Sequence, residues 1–140
     1  MSESYGGNID LRPSADPQWA IFKHDLAGVF CHRATGLTLS QMDVRWDDDI
    51  SKYYTQAVWC EETNRLVIDG FRGRQPGSGE RNTAILLDAV REVTVRNSQA
   101  AAGTTTFLSH RNVTEAGLFG NNDVSKAAKA IDPMPSPFGR

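Results

Sequence analysis

Residues 53–83 constrain the fold of this chain more than any other stretch. They read YYTQAVWC, EETN, RLVIDGFR and then GRQPGSGERNT. Aromatic and β-branched residues flank a polar four-residue turn, which is the pattern of a β-hairpin over 53–72. The Gly/Arg segment after it reads as a mobile, phosphate-friendly tip on a well-packed hairpin. The rest of the chain has to supply neighbours for that hairpin.

Upstream, residues 19–32 (WAIFKHDLAGVFCH) and 36–46 (GLTLSQMDVRW) read as two strands joined by a short RATG turn. Leu37, Leu39 and Gln41 alternate there with Thr38, Ser40 and Met42. Residues 47–52 (DDDISK) are a charged turn. Four strands in a row with short links predict an antiparallel meander. Downstream, 84–97 (AILLDAVREVTVRN) carries both periods. Ile85, Leu86, Ala89, Val90 and Val93 have helical spacing. Arg91 to Arg96 alternates with period two around the β-branched VTV. The segment is strand or helix by pattern, and strand is preferred because its most β-like part lies at the end, with no Gly or Pro inside. TTTFLSHRNVTEAGLFG, beyond Gly103, also fits either state. Residues 122–131 (NDVSKAAKAI) read as a short helix capped by Asn122 or Asp123.

The expected fold class is therefore α+β: an antiparallel β-meander of five to six strands followed by short C-terminal helical segments. The chain reads as one domain over 1–140, with an irregular arm at 1–18 and an extended proline-rich tail at 132–140. No internal repeat is visible. At 140 residues, with 39% apolar and 23% charged residues, the chain can bury a core, yet is lean enough to complete it by pairing with a second copy. No apolar run approaches the roughly 20 residues of a membrane span. The start, MSESYGGNID, has neither a basic nor an apolar leader region, so no secretion signal is read. A net charge of −2 argues against bulk electrostatic binding of nucleic acid but leaves room for a local basic face.

Chemical candidates follow from residue type and spacing. Cys31 and Cys60 each sit in a strand-like run, VFC and VWC, and read as buried thiols. A disulfide between them requires those strands to be neighbours. Asp47, Asp48 and Asp49 point in different directions on an extended chain, so they read as a solvated turn and no metal site is expected. His24, His32 and His110 form no local nucleophile–base pair, because Cys31 and His32 face opposite sides of a strand. With no hydrolase, metalloprotease or paired-acid motif, the chain reads as a non-enzyme without a cofactor. The loop 70–81 holds four glycines and three arginines. Gly73, Gly77, Ser78, Gly79 and Arg81 could cradle an anion through backbone N–H groups and a guanidinium fork, though without the ending of a phosphate-binding P-loop. Arg45, Lys52, Arg65, Arg72 and Arg74 all fall on or beside predicted strands. Alternation places Arg65, Val67, Asp69 and Phe71 on one face, with Leu66, Ile68 and Gly70 on the core face. The first face is expected to hold single-stranded RNA by phosphate contacts and stacking.

The order of these parts resembles the coat proteins of single-stranded RNA bacteriophages. KYYTQAVWCEETNRLVIDGFRG corresponds to the central hairpin and RQPGSGERN to the loop bordering the particle's symmetry axes. AILLDAVREVTVRN corresponds to the last strand, and NDVSKAAKAIDPM lies near the end. The resemblance is architectural and covers most of the chain. It implies an intertwined homodimer with one continuous sheet, assembly of dimers into a shell, and RNA against the inner sheet face. The protein would then be a virion component made in the host cytoplasm. The alternative is a small cytoplasmic, oligomeric binder of a nucleotide or other phosphorylated ligand through 70–81.

Overall fold

Four stretches of the chain share one local plan, and that plan sets the architecture. In the computed structural model the described residues are 25–50, 52–79 and 82–133, without the side chains of 115–118. They form ten strands: β1 (Leu26–His32), β2 (Thr35–Ser40), β3 (Asp43–Val44), β4 (Tyr54–Asp69), β5 (Arg72–Gly73), β6 (Thr83–Arg96), β7 (Gln99–Ala100), β8 (Thr104–Arg111), β9 (Thr114–Gly120) and β10 (Ala127–Pro133). Every strand pairing between them is parallel. The chain is a β-solenoid that climbs by one coil per plan, each coil lying on the one before it.

Three faces run up the coil. The first stacks β1, the first half of β4, the first half of β6, β8 and β10. The second stacks β2, the second halves of β4 and β6, and β9. The third is the narrow β3–β5–β7 sheet, extended by a parallel bridge from Gln99 to Asp123. On the first face Val29, Val58, Ile85, Leu108 and Ile131 lie in register. The interval between these stacked residues falls from 29 to 27 to 23 and 23. Connections of nine residues follow the third face in each of the first two coils, and short ones follow it in the next two.

The core fills the space between the faces. Val58, Cys60, Leu66, Ile68, Phe71, Ile85, Leu87, Val90, Val93, Val95 and Phe107 are among its buried members. Phe71 packs against Phe107 with ring centroids 6.1 Å apart. Both alternating sets of residues are buried over Thr55–Cys60 and Thr83–Asp88. A parallel sheet covered on both sides has that character, and it explains why AVWC and AILL read as continuous apolar runs.

The corners depend on left-handed backbone. Arg33, Glu62, Ala89 and Asn112 have φ of 57°, 49°, 54° and 52°. They fall at the same corner on four successive coils, just beyond the first face. Gly36, Arg65 and Glu92 form a second such column. Gln41, Gly70, Asn97 and Asn121 form a third, between the second and third faces. Non-glycine residues rarely adopt this region. Here both flanking strands are pinned to the coils beside them, which enforces the turn.

Several sequence expectations are corrected. The fold is all-β, with no helix among the described residues, so it is neither an α+β protein nor an antiparallel meander. Residues 53–72 are not a hairpin. EETN does not reverse the chain, because Glu62 and Arg65 bend one long strand, β4, around a corner. β1 and β2 do not pair with each other: each lies parallel on β4. Residues 122–131 are not a helix, since Ala127–Pro133 is β10, paired to β8. Pro133 therefore belongs to a strand and not to an extended tail. The preferred strand reading of 84–97 holds as β6. A repeated unit exists where none was visible. β4 and β6 find neighbours on both sides within one chain. The 1–18 arm lies outside the described residues.

Candidate functional site

The corner after the second face carries the most concentrated polar constellation. Each coil ends that face in an alternating apolar pair followed by a polar dipeptide: LTL-SQ, LVI-DG, VTV-RN and, on the fourth coil, FGN. The left-handed turn at Gln41, Gly70, Asn97 and Asn121 brings these dipeptides to the surface one above another. Coils are about 4.8 Å apart, so the column spans three intervals.

Within it, Asp69 accepts hydrogen bonds from two neighbours on the next coil. The Asn97 side-chain amide donates to Oδ1 at 3.1 Å, and Arg96 Nε donates to Oδ2 at 2.9 Å. These two partners, the amide first, hold the Asp69 carboxyl below the usual carboxylate range. Asn122 locks the turn beneath. Its Oδ1 accepts from the Ser98 backbone N–H at 2.9 Å and its Nδ2 donates to the Val95 carbonyl at 3.0 Å. Asp69, Arg96, Asn97, Gly120 and Asn121 line a groove of about 360 Å³. Its charge is balanced by the Asp69–Arg96 pair. It offers amide and guanidinium donors together with amide and carboxylate acceptors, all in planar groups with fixed directions.

A second, smaller cavity of about 270 Å³ lies where two connecting loops meet. Ile50, Lys52, Tyr54, Gly77, Ser78 and Asn82 are among its lining residues. Among its described residues, the Gly/Arg segment that forms one wall is held by side-chain hydrogen bonds at Gln75 and Asn82. Gln75 is fully buried. Its amide donates to the carbonyls of Gly77 (3.0 Å) and Gly103 (2.9 Å) and accepts from the Thr105 N–H (3.1 Å). Asn82 Nδ2 bonds the Pro76 carbonyl, and the Asn82 N–H bonds the Gly79 carbonyl at 2.9 Å. Of the expected anion-cradling residues, Gly77, Ser78 and Gly79 do line this cavity. Gly73 does not: it sits in β5 against Val44 and Phe71. Arg81 lies outside the described residues.

The five basic residues do not share a face. Arg65 is at the corner between the first and second faces, ion-paired to Glu92 at 3.3 Å. Arg45 and Arg72 are on or beside the third face. Arg45 pairs with Asp43 at 3.1 Å, and Arg72 stands in register on Asp43. Arg74 donates to the Gln75 carbonyl at 3.0 Å, and Lys52 lies over the Tyr53 ring, 5.6 Å from its centroid. Phe71, expected on the RNA face, is turned into the core by the left-handed Gly70. Neither the meander nor a single basic face forms among the described residues.

A charged column also runs up the first corner. His32, Glu61, Asp88 and Arg111 are in register. Arg111 grips the Asp88 Oδ2 from Nε and Nη2, both at 2.7 Å. Asp47, Asp48 and Asp49 are exposed between β3 and β4, and no cluster of metal-ligand type occurs among the described residues.

No family model matches the chain, and no curated protein or solved structure matches it either. The groove residues Arg96, Asn97 and Asn121 were not among the sequence candidates, and Asp69 entered only as a neighbour of Arg65 on the expected RNA face. The recurring step from an alternating apolar pair to a polar dipeptide was their only signal.

Proposed function

We propose that this solenoid is a non-catalytic binding module that holds an extended, polyhydroxylated chain, a glycan, along the Asp69–Arg96–Asn97–Asn121 corner. The observation that carries this reading is the charge-balanced groove running across three coils. A phosphate-rich polymer would meet a carboxylate at its centre. A neutral or weakly acidic sugar chain would meet fixed donors and acceptors at each coil, which suits hydroxyls pointing along the solenoid axis. Affinity would come from several modest hydrogen bonds in parallel, each about 0.5–1.5 kcal/mol.

The test is a glycan array followed by calorimetry. Asp69→Ala and Asn121→Ala should each weaken binding of the best oligosaccharide by about 3–10-fold, with melting midpoints still well above the assay temperature. Absence of binding to any neutral or acidic glycan rejects the proposal, as does binding that neither substitution alters.

The loop cavity supports a second reading, a small phosphorylated ligand held by Lys52 and the Gly77–Ser78–Gly79 backbone. A thermal-shift panel of sugar phosphates and nucleotides separates the two. Lys52→Glu should abolish a phosphate-dependent shift and leave glycan binding unchanged.

A further inference from the structure

Cys31 and Cys60 are register partners on adjacent parallel strands, β1 and β4, and both are free thiols, Cys31 half-buried and Cys60 buried. As register partners they stand on the same side of the sheet, with Cys31 packed against the core that contains Cys60. Neighbouring strands put paired Cα atoms about 4.8 Å apart, inside the roughly 4.4–6.8 Å range that a disulfide spans but towards its short end. We propose that this pair is an oxidisable dithiol site, which a low-molecular-weight disulfide such as oxidised glutathione converts into an intramolecular disulfide stapling the first coil to the second.

The exchange balances without any further reactant. The Cys31 thiolate attacks one sulfur of the small disulfide, whose S–S bond breaks. One small thiolate leaves and takes up the proton that Cys31 gave up. Cys60 then loses its proton and attacks the Cys31 sulfur of the mixed disulfide, expelling the second small thiol. Two protein thiols are oxidised by two electrons, and one small disulfide is reduced to two thiols. The order of attack follows from placement. Cys31 is the more exposed sulfur, and the hydrogen bond it accepts from Cys60 brings it down to about 7 against the opposing effect of burial. Cys60, which gives that hydrogen bond and is buried, is pushed up. Thiol–disulfide exchange runs in both directions, so excess dithiol reductant opens the staple again.

The test uses the full chain. Oxidised glutathione should leave wild-type protein two hydrogens lighter by intact mass, with no titratable thiol and no retained glutathionyl group. Its melting midpoint should rise by about 5–10 °C, because a loop of this length is closed in the unfolded chain, and a dithiol reductant should reverse the change. Cys60→Ser should stop at one glutathionyl group on Cys31, and Cys31→Ser should react far more slowly. A stable glutathionyl adduct on wild type, disulfide-linked dimers on a non-reducing gel, or two thiols that survive oxidant would overturn the proposal. An unchanged midpoint in the lighter species would overturn the staple.

Discussion

Substituting Ala89 by glycine should stabilise this protein, although the residue lies inside a fourteen-residue strand. Ala89 is exposed and has φ of 54°. Holding an alanine in left-handed backbone costs about 1–2 kcal/mol, through the clash of its Cβ with the following carbonyl. Glycine removes that cost and adds about 0.4–1 kcal/mol of unfolded-state entropy, for a net gain of about 0.5–1 kcal/mol. In a domain of this size that is about 2–4 °C in the melting midpoint. Ala84 is the control, in the same strand but fully buried in the core. Ala84→Gly loses a buried methyl, about 0.8 kcal/mol, plus the entropy cost, so it should destabilise by about 1–2 kcal/mol. Ala89→Asn checks the sign independently, because asparagine tolerates left-handed backbone without glycine's freedom. Urea unfolding of the three variants gives the free energies directly. A loss of about 1 kcal/mol or more in Ala89→Gly, matching the control, would mean that residue 89 is ordinary extended strand and that the coil does not turn there.

Three further outcomes follow from hydrogen-bonded polar side chains. Gln75→Ala should cost about 2–4 kcal/mol, since it leaves two carbonyls and one N–H unpaired; a loss below about 1 kcal/mol in denaturant unfolding refutes the tether. Arg111→Leu should cost about 1–3 kcal/mol by stranding the largely buried Asp88 carboxylate, and adding Asp88→Leu should recover most of it; a double variant no better than the single one contradicts that. Asp69 has its carboxyl lowered in the folded state, so its stabilisation is complete above the unfolded value of about 3.9 and fades as pH falls through the lower folded value. Asp69→Asn should therefore show a shallower loss of melting temperature in that acid window, and identical acid profiles would rule the linkage out.

The strands β1, β2, β4 and β6 were legible in the sequence, whereas β10 was misread as a helix and no strand's partners could be read. Leu66 and Ile68 were placed in the core by alternation, and β6 was recognised from Arg91–Arg96. What misled was the corner chemistry. Gly, Asn or Pro is expected at a chain bend, yet three of the four bends beyond the first face hold Arg33, Glu62 and Ala89, and only the fourth an asparagine, Asn112. Pinned strands on adjacent coils supply what the residue type does not, and no single-segment pattern carries that information. EETN looks like a tight turn because its residues are polar. They are polar because the corner is exposed, and the chain goes forward instead of back. The unit also hides because its length drifts from 29 to 23 residues as the third connection shortens, so no fixed period exists to detect. The Gly/Arg loop misled in the opposite way. Its glycines suggested freedom, whereas Gln75 and Asn82 fasten it.

Stacking one coil on another raises a problem that the corner residues solve. Residues in register stand about 4.8 Å apart, so a repeat with one charged residue at a fixed place would line up like charges along the axis. Here opposite charges meet between coils at four places, although Glu61 and Asp88 stack in register as like charges. Arg33 meets Glu62, Arg65 meets Glu92, Asp69 meets Arg96, and Asp88 meets Arg111. Each exposed pair adds little stability, about 0–1 kcal/mol. A slip of one residue between coils would break every such contact and also turn Leu66, Ile68, Val93 and Val95 out of the core, so the pairs reinforce a register that burial already dictates. The same arrangement explains why basic residues that looked available in sequence are engaged in the fold. Arg65 and Arg96 each face a carboxylate on a neighbouring coil, and Arg45 faces one on its own coil. What remains at the second corner is a neutral, densely hydrogen-bonding strip whose geometry repeats with the coil. A ligand that repeats along its own length can meet such a strip unit by unit, whereas a compact anion gains nothing from the repetition.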